Sequence, residues 1–107
     1  MHDIQPRLLL SVQRALLGAV SPNLRAVICG WAGVEIKLRF VFDGEIAEEN
    51  LDDVRIVGAE VAADFPAPWT TSEDVARLDY PHDIRPGALA LWAYLRKESV
   101  AATGNPY

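Results

Sequence analysis

Positive charge, sulfur and imidazole are all scarce in this chain. Its 107 residues carry 10 Lys and Arg against 15 Asp and Glu, a net charge of −5. That balance argues against nucleic acid as a partner, because phosphate binding needs clustered cations. It suits solubility, or a basic protein partner. With one cysteine, Cys29, no intramolecular disulfide and no Cys-based metal spacing is possible. Cys29 lies in the apolar stretch LRAVICGW and reads as a small buried hydrophobe. The chain therefore has no need of an oxidising compartment. Uninterrupted apolar runs are also missing. The opening MHDIQPRLLLSVQRALLGAV has no basic leader and carries Arg14 inside its apolar part, so it is neither a signal peptide nor a membrane span. A cytoplasmic protein with no membrane partner is expected.

The familiar catalytic signatures are absent as well. No G-x-S-x-G, H-E-x-x-H, EF-hand or P-loop pattern occurs. Gly30 and Gly33 flank a turn that opens a strand, whereas a dinucleotide fingerprint needs three glycines opening a helix. The two histidines are His2, at the chain end, and His82, in the loop PHDIRPG beside Asp83 and within reach of Asp79. Neither has a recognisable nucleophile beside it, and His82 reads as an exposed loop residue. No catalytic residue, metal or cofactor is expected.

What is present is enough for one modest core. Half of the residues are apolar, and three Trp, three Tyr and three Phe are among them. One domain over 1–107 is expected, ordered over about 6–98. Residues 6–18 predict a helix, with Pro6 in its first turn, Leu8, Leu9, Val12 and Leu16 at helical spacing, and Gly18 at its end. Residues 24–31 predict a strand. After the turn Ala32-Gly33, VEIKLRFVF alternates strictly. Val34, Ile36, Leu38, Phe40 and Phe42 face one way, and Glu35, Lys37 and Arg39 face the other. Period two with one charged side means a sheet packed on one face and wet on the other. A slip of one residue would drive charge into the core.

Asp43-Gly44 ends that strand. A second helix is predicted over 47–64, with Leu51, Val54, Val57 or Gly58, Val61 and Phe65 as its apolar stripe and Pro66 as its stop. The competing reading is a strand through VRIVGAEV. PAPWTTSED reads as a loop, with Trp69 covering the core's end or the sheet's edge. Residues 74–80 read as a third strand. ALALWAYLRKE, 88–98, reads as a strand or a helix, the strand being favoured because it completes a sheet. The tail SVAATGNPY reads as frayed. The resulting expectation is an α+β two-layer sandwich in the order α-β-β-α-β-β. Two hairpin-like pairs form an antiparallel four-stranded sheet with both helices on one face.

Two surfaces stand out as partner-binding candidates. One is the acidic start of the second helix: Glu45, Glu48, Glu49, Asp52 and Asp53. Carboxylates there complement the helix dipole, and their joint field steers a basic partner. The other is the wet sheet face, where Arg39, Arg77, Asp79, Trp92, Tyr94 and Arg96 are placed and an Arg39–Asp79 ion pair is expected. Arg with Trp and Tyr is the usual composition of an interface hot spot. The bland readings are a solvated helix and an ordinary exposed sheet. Two other functions remain open: a carboxylate-based metal-binding or hydrolytic domain using His82, and a self-associating structural subunit joined by strand edges or the sheet face.

FDGEIAEENLDD, GAEVAADFP and RLDYP, with AVSPNLRAV before them and YLRKE after, make a distinctive string. From about Leu16 to Glu98 the chain resembles small bacterial immunity proteins of contact-dependent growth inhibition and related polymorphic toxin systems. The resemblance implies a non-enzymatic cytosolic protein that binds one cognate toxin domain and occludes its active site. Many such toxins are nucleases with basic substrate surfaces, which an acidic inhibitor would cover.

Overall fold

The computed structural model describes residues 4–85 and 89–98. His2, the first residue of the expected 88–98 segment and the tail 99–107 lie outside them. The elements are α1 (Ile4–Ala15), β1 (Leu24–Ala32), β2 (Glu35–Phe42), α2 (Glu48–Asp64), β3 (Thr70–Arg77) and β4 (Leu91–Leu95), in the expected order.

Helix α1 buries Ile4, Leu8, Val12 and Ala15, which recur every three or four residues. Gly18 then takes φ +80°, a left-handed turn that glycine adopts without strain. Strands β1 and β2 form an antiparallel hairpin in which Val27 faces Phe40 and Cys29 faces Leu38. The alternation in β2 holds: Ile36, Leu38, Phe40 and Phe42 are buried, and Glu35 and Lys37 are exposed. Val34 departs from it. It lies exposed in the hairpin turn and does not extend the apolar row. Cys29 is buried as expected, and burial pushes its thiol up to about 11.

Both helices pack on the β2 face that carries these side chains, and Val54, Val57 and Val61 of α2 meet them in one core. Asp64 accepts a hydrogen bond from Ser11 of α1 at 2.7 Å, tying the helices side by side. Trp69 sets its ring edge-on to Phe65, with centroids 6.0 Å apart, and closes the core's end.

The sheet is mixed, where an antiparallel one was expected. Its strand order is β3-β2-β1-β4, and β3 runs parallel to β2. The chain leaves β2, crosses the sheet as α2 and returns in the same direction, which a helical crossover makes natural and a hairpin cannot. The second expected strand pair does not exist. β4 instead joins the far edge of β1, antiparallel, with Tyr94 opposite Val27. This settles the strand reading of the last segment. β3 also begins earlier than the expected 74–80. Thr70–Asp74 carry no apolar alternation because an edge strand with both sides largely exposed needs none.

The face away from the helices is only partly wet. Leu78 and Ile84, from the segment after β3, pack there on Ala26, Val41 and Leu95.

Gly58 of α2 lies against β3. A Cβ added there would come 2.5 Å from Oε2 of Glu73. Glu73 is exposed, so its carboxylate can swing outward. Gly58→Ala is therefore expected to raise the unfolding free energy by about 0.5–1 kcal/mol, the usual gain for Ala over Gly within a helix. Urea denaturation checks this, and a loss of stability would mean that Glu73 is held in place.

Candidate functional site

Helix α2 holds Glu48, Glu49, Asp52, Asp53, Glu60 and Asp64 against a single Arg55. That excess of five negative charges equals the net −5 of the whole chain, so the remaining residues balance to zero. The protein's electrostatic asymmetry is a property of this one helix. Glu45, Glu48, Glu49 and Asp52 are exposed and Asp53 is half-buried. Arg55 reaches back to Asp52 and, at 3.7 Å, to Glu48. Glu45 feels the charge of Arg77, and among the described residues Glu49 and Asp53 form no ion pair.

The start of α2 is fastened from inside. Asn50, buried at 4 % exposure, occupies the inward position one turn before Val54. Its Oδ1 accepts the Ala47 backbone N–H at 2.8 Å and the Asn23 side-chain amide at 3.0 Å. Its Nδ2 donates to Ser21 Oγ at 3.1 Å and to Asn23 Oδ1 at 3.2 Å. The turn after α1 is thus bonded to the first turn of α2. Each amide satisfies the other, which a buried polar group requires. The recess beside it, between Leu24, Phe40, Phe42 and Val57, is closed to a molecule the size of water.

A second network anchors the loop that leads to α2. Arg25, at 2 % exposure, is the residue displaced by an irregularity in the β1–β2 register. Its guanidinium grips Glu98 through two bonds of 2.7 and 2.9 Å, and it donates to the Leu78 carbonyl at 2.7 Å. Its charge also lies 5.7 Å from the centre of the Tyr80 ring. Arg96 joins Glu98 to Asp43 at 3.0 Å each. Asp43 accepts the Tyr80 backbone N–H, and Asp79 accepts that of Gly44. The ends of β1, β2, β3 and β4 meet in this lattice. The Arg25 guanidinium holds the Glu98 carboxyl below its ordinary range, and Arg96 does the same for Asp43.

The two expected surfaces do not merge into one site, and the second is split. Arg39 and Trp92 share the face away from the helices, one on each side of Ile28. Arg39 pairs with Asp74, two bonds of 2.9 and 3.2 Å, rather than with Asp79, because parallel β3 places Asp74 directly opposite it. Arg77 lies opposite Phe42, on the helix side, and binds Asp79. Tyr94 also turns to the helix side and packs on the main core. Arg77 and Tyr94 were both expected on the wet face. The parallel register moves Arg77, and an irregularity in the β1–β4 pairing precedes Tyr94.

His82 is exposed, and its Nδ1 lies 2.9 Å from the Asp79 backbone oxygen. Asp83 is taken by Arg85, which draws its carboxyl down to about 2. Among the described residues, no three His, Cys, Asp or Glu side chains converge as a metal site would require. No helix among them is long and apolar enough to cross a membrane.

Sequence reasoning missed Arg25 and Asn50, yet both left a trace. Arg25 is a lone charge in an apolar strand, and Asn50 occupies an apolar-stripe position in step with Val54 and Val57.

The architecture defines a small two-layer α+β protein that presents one strongly acidic helix beside a mixed sheet. A model of the MafI2 immunity protein family matches residues 5–98, and the chain belongs to that family. Its role is accordingly that of an immunity protein, the toxin-neutralising member of a toxin–immunity pair. No curated protein matches the chain.

Proposed function

We propose that the protein acts in the cytoplasm by laying the N-terminal half of α2 over the basic substrate surface of a cognate nuclease toxin domain, occluding its active site. One observation carries this reading: the entire net charge resides on α2, and Glu45, Glu48, Glu49, Asp52 and Asp53 cluster at its start. Carboxylates at that density stand in for the phosphates of a nucleic acid and speed the approach of a cationic surface. The two internal networks keep the acidic turn in one orientation, so little ordering is left to be done on binding. Arg39 and Trp92 form a second contact surface on the opposite side. Arg77 flanks the acidic loop, and Tyr94 supports the sheet from within.

Stopped-flow association with the purified toxin domain tests the proposal. The association rate is expected to fall about tenfold between low and high salt, since exposed charges are screened beyond a Debye length. Glu45→Lys/Glu49→Lys is expected to slow association about tenfold at low salt, with Arg39→Ala/Trp92→Ala leaving that rate alone. A rate indifferent to salt would rule out acidic steering.

A further inference from the structure

We propose that the helical layer is also a self-complementary docking surface, and that its occupant is a second copy of this chain. Helix α1 leaves large apolar side chains in water: Leu10 is 53 % exposed, and Leu17, in the turn that follows, 80 %. Helix α2 does the same with Ile56, at 53 %. Solitary exposed apolar residues are ordinary, but these belong to two adjacent helices and bracket two charges of opposite sign. Arg14 and Glu60 make no ion pair within one copy among the described residues.

The helices run antiparallel. Ser11 is bonded to Asp64, and Ala19 and Ser21 lie beside Asp53 and Val54. With a rise of about 1.5 Å per residue in each helix, heights along the layer can be matched from the Ser11–Asp64 bond. Leu17 stands near the height of Ile56, Arg14 near Glu60 and Leu10 near Ala63, each to within about 3 Å, two residues' rise.

A two-fold axis parallel to the helices, along the groove between α1 and α2, preserves these heights while laying α1 of one copy across α2 of the other. Leu17 then meets Ile56, Arg14 meets Glu60, and Leu10 meets the small Ala63. Each contact occurs twice, as an isologous interface demands. The four helices become an antiparallel bundle between two sheets, a packing with favourable dipole alignment. The interface uses only the C-terminal half of α2. Glu45, Glu48 and Glu49 lie well beyond the last paired height, that of Leu17 and Ile56, so this inference does not depend on the toxin-docking reading.

Sedimentation equilibrium and light scattering of the full chain over a concentration series provide the test. A reversible dimer is expected. Leu17→Glu, at a site too exposed to affect folding, is expected to raise the dimer dissociation constant at least about tenfold, as is Arg14→Glu. The swapped pair Arg14→Glu/Glu60→Arg is expected to recover most of the loss, with circular dichroism confirming an unchanged fold. A chain that stays monomeric up to about 1 mM overturns the proposal. So does a dimer that Leu17→Glu leaves intact, or a swapped pair no better than Arg14→Glu alone.

Discussion

Replacing Phe40 with alanine is expected to lower the unfolding free energy by about 3–5 kcal/mol. Phe40 is 3 % exposed in the centre of β2, in the same core as Val54 and Val57 of α2. Removing the ring loses its transfer free energy and leaves a void that the hairpin on one side and α2 on the other cannot both close. A domain of this size has about 5–15 kcal/mol in total, so one truncation removes a large share. The neighbours in sequence supply the control. Lys37→Ala, on the opposite side of the same strand, is expected to stay within about 0.5 kcal/mol of the parent. Urea denaturation reads both as shifts in midpoint at constant slope. Equal losses at the two positions would contradict the packing of β2.

Glu98→Ala is expected to cost about 3–5 kcal/mol for a different reason. The substitution removes few apolar contacts but takes away the carboxylate that grips the buried Arg25 guanidinium, leaving it, among the described residues, the Leu78 carbonyl, the Tyr80 ring face and the more distant charge of Asp83. An uncompensated buried charge is more costly than a missing pair. Arg25→Met/Glu98→Ala is therefore expected to be more stable than Glu98→Ala alone, and a double-mutant cycle measures the coupling.

The pair also sets a pH dependence. The carboxyl of Glu98 is held below its ordinary value of 4.5, first by the hydrogen bond from Arg25. Its stabilising contribution is complete above that ordinary value and is lost as pH falls through the depressed one. Stability of the parent is expected to drop in the acid range more steeply than that of Glu98→Ala. Asp43 and Asp79, both depressed, leave the variant a residual slope. Parallel slopes for the two proteins would remove Glu98 from this account.

Much of the architecture was legible because local patterns carry it. The strict alternation in β2, the three-and-four stepping of Val54, Val57 and Val61, and the stop at Pro66 each follow from burying one side of a regular element. The buried state of Cys29 followed from its apolar neighbours. Polar strand β3 was misplaced because Thr70–Asp74 have no apolar period, and their strand state comes from hydrogen bonds to β2. Arg25 and Asn50 were overlooked because their partners, Glu98 and Asn23, are distant in the chain.

The sequence by itself determined which side of α1, β2 and α2 is apolar, where the second helix begins and ends, and that the acid would gather on it, since these depend on spacing and composition alone; the first helix, expected over 6–18, lies two to three residues earlier, at Ile4–Ala15. Only the tertiary structure decided that β3 runs parallel to β2, that β4 crosses to the far edge, and that Arg77 and Tyr94 face the helices. Those outcomes depend on which strand edge a returning segment meets, and that is set by pairing between residues far apart in the chain.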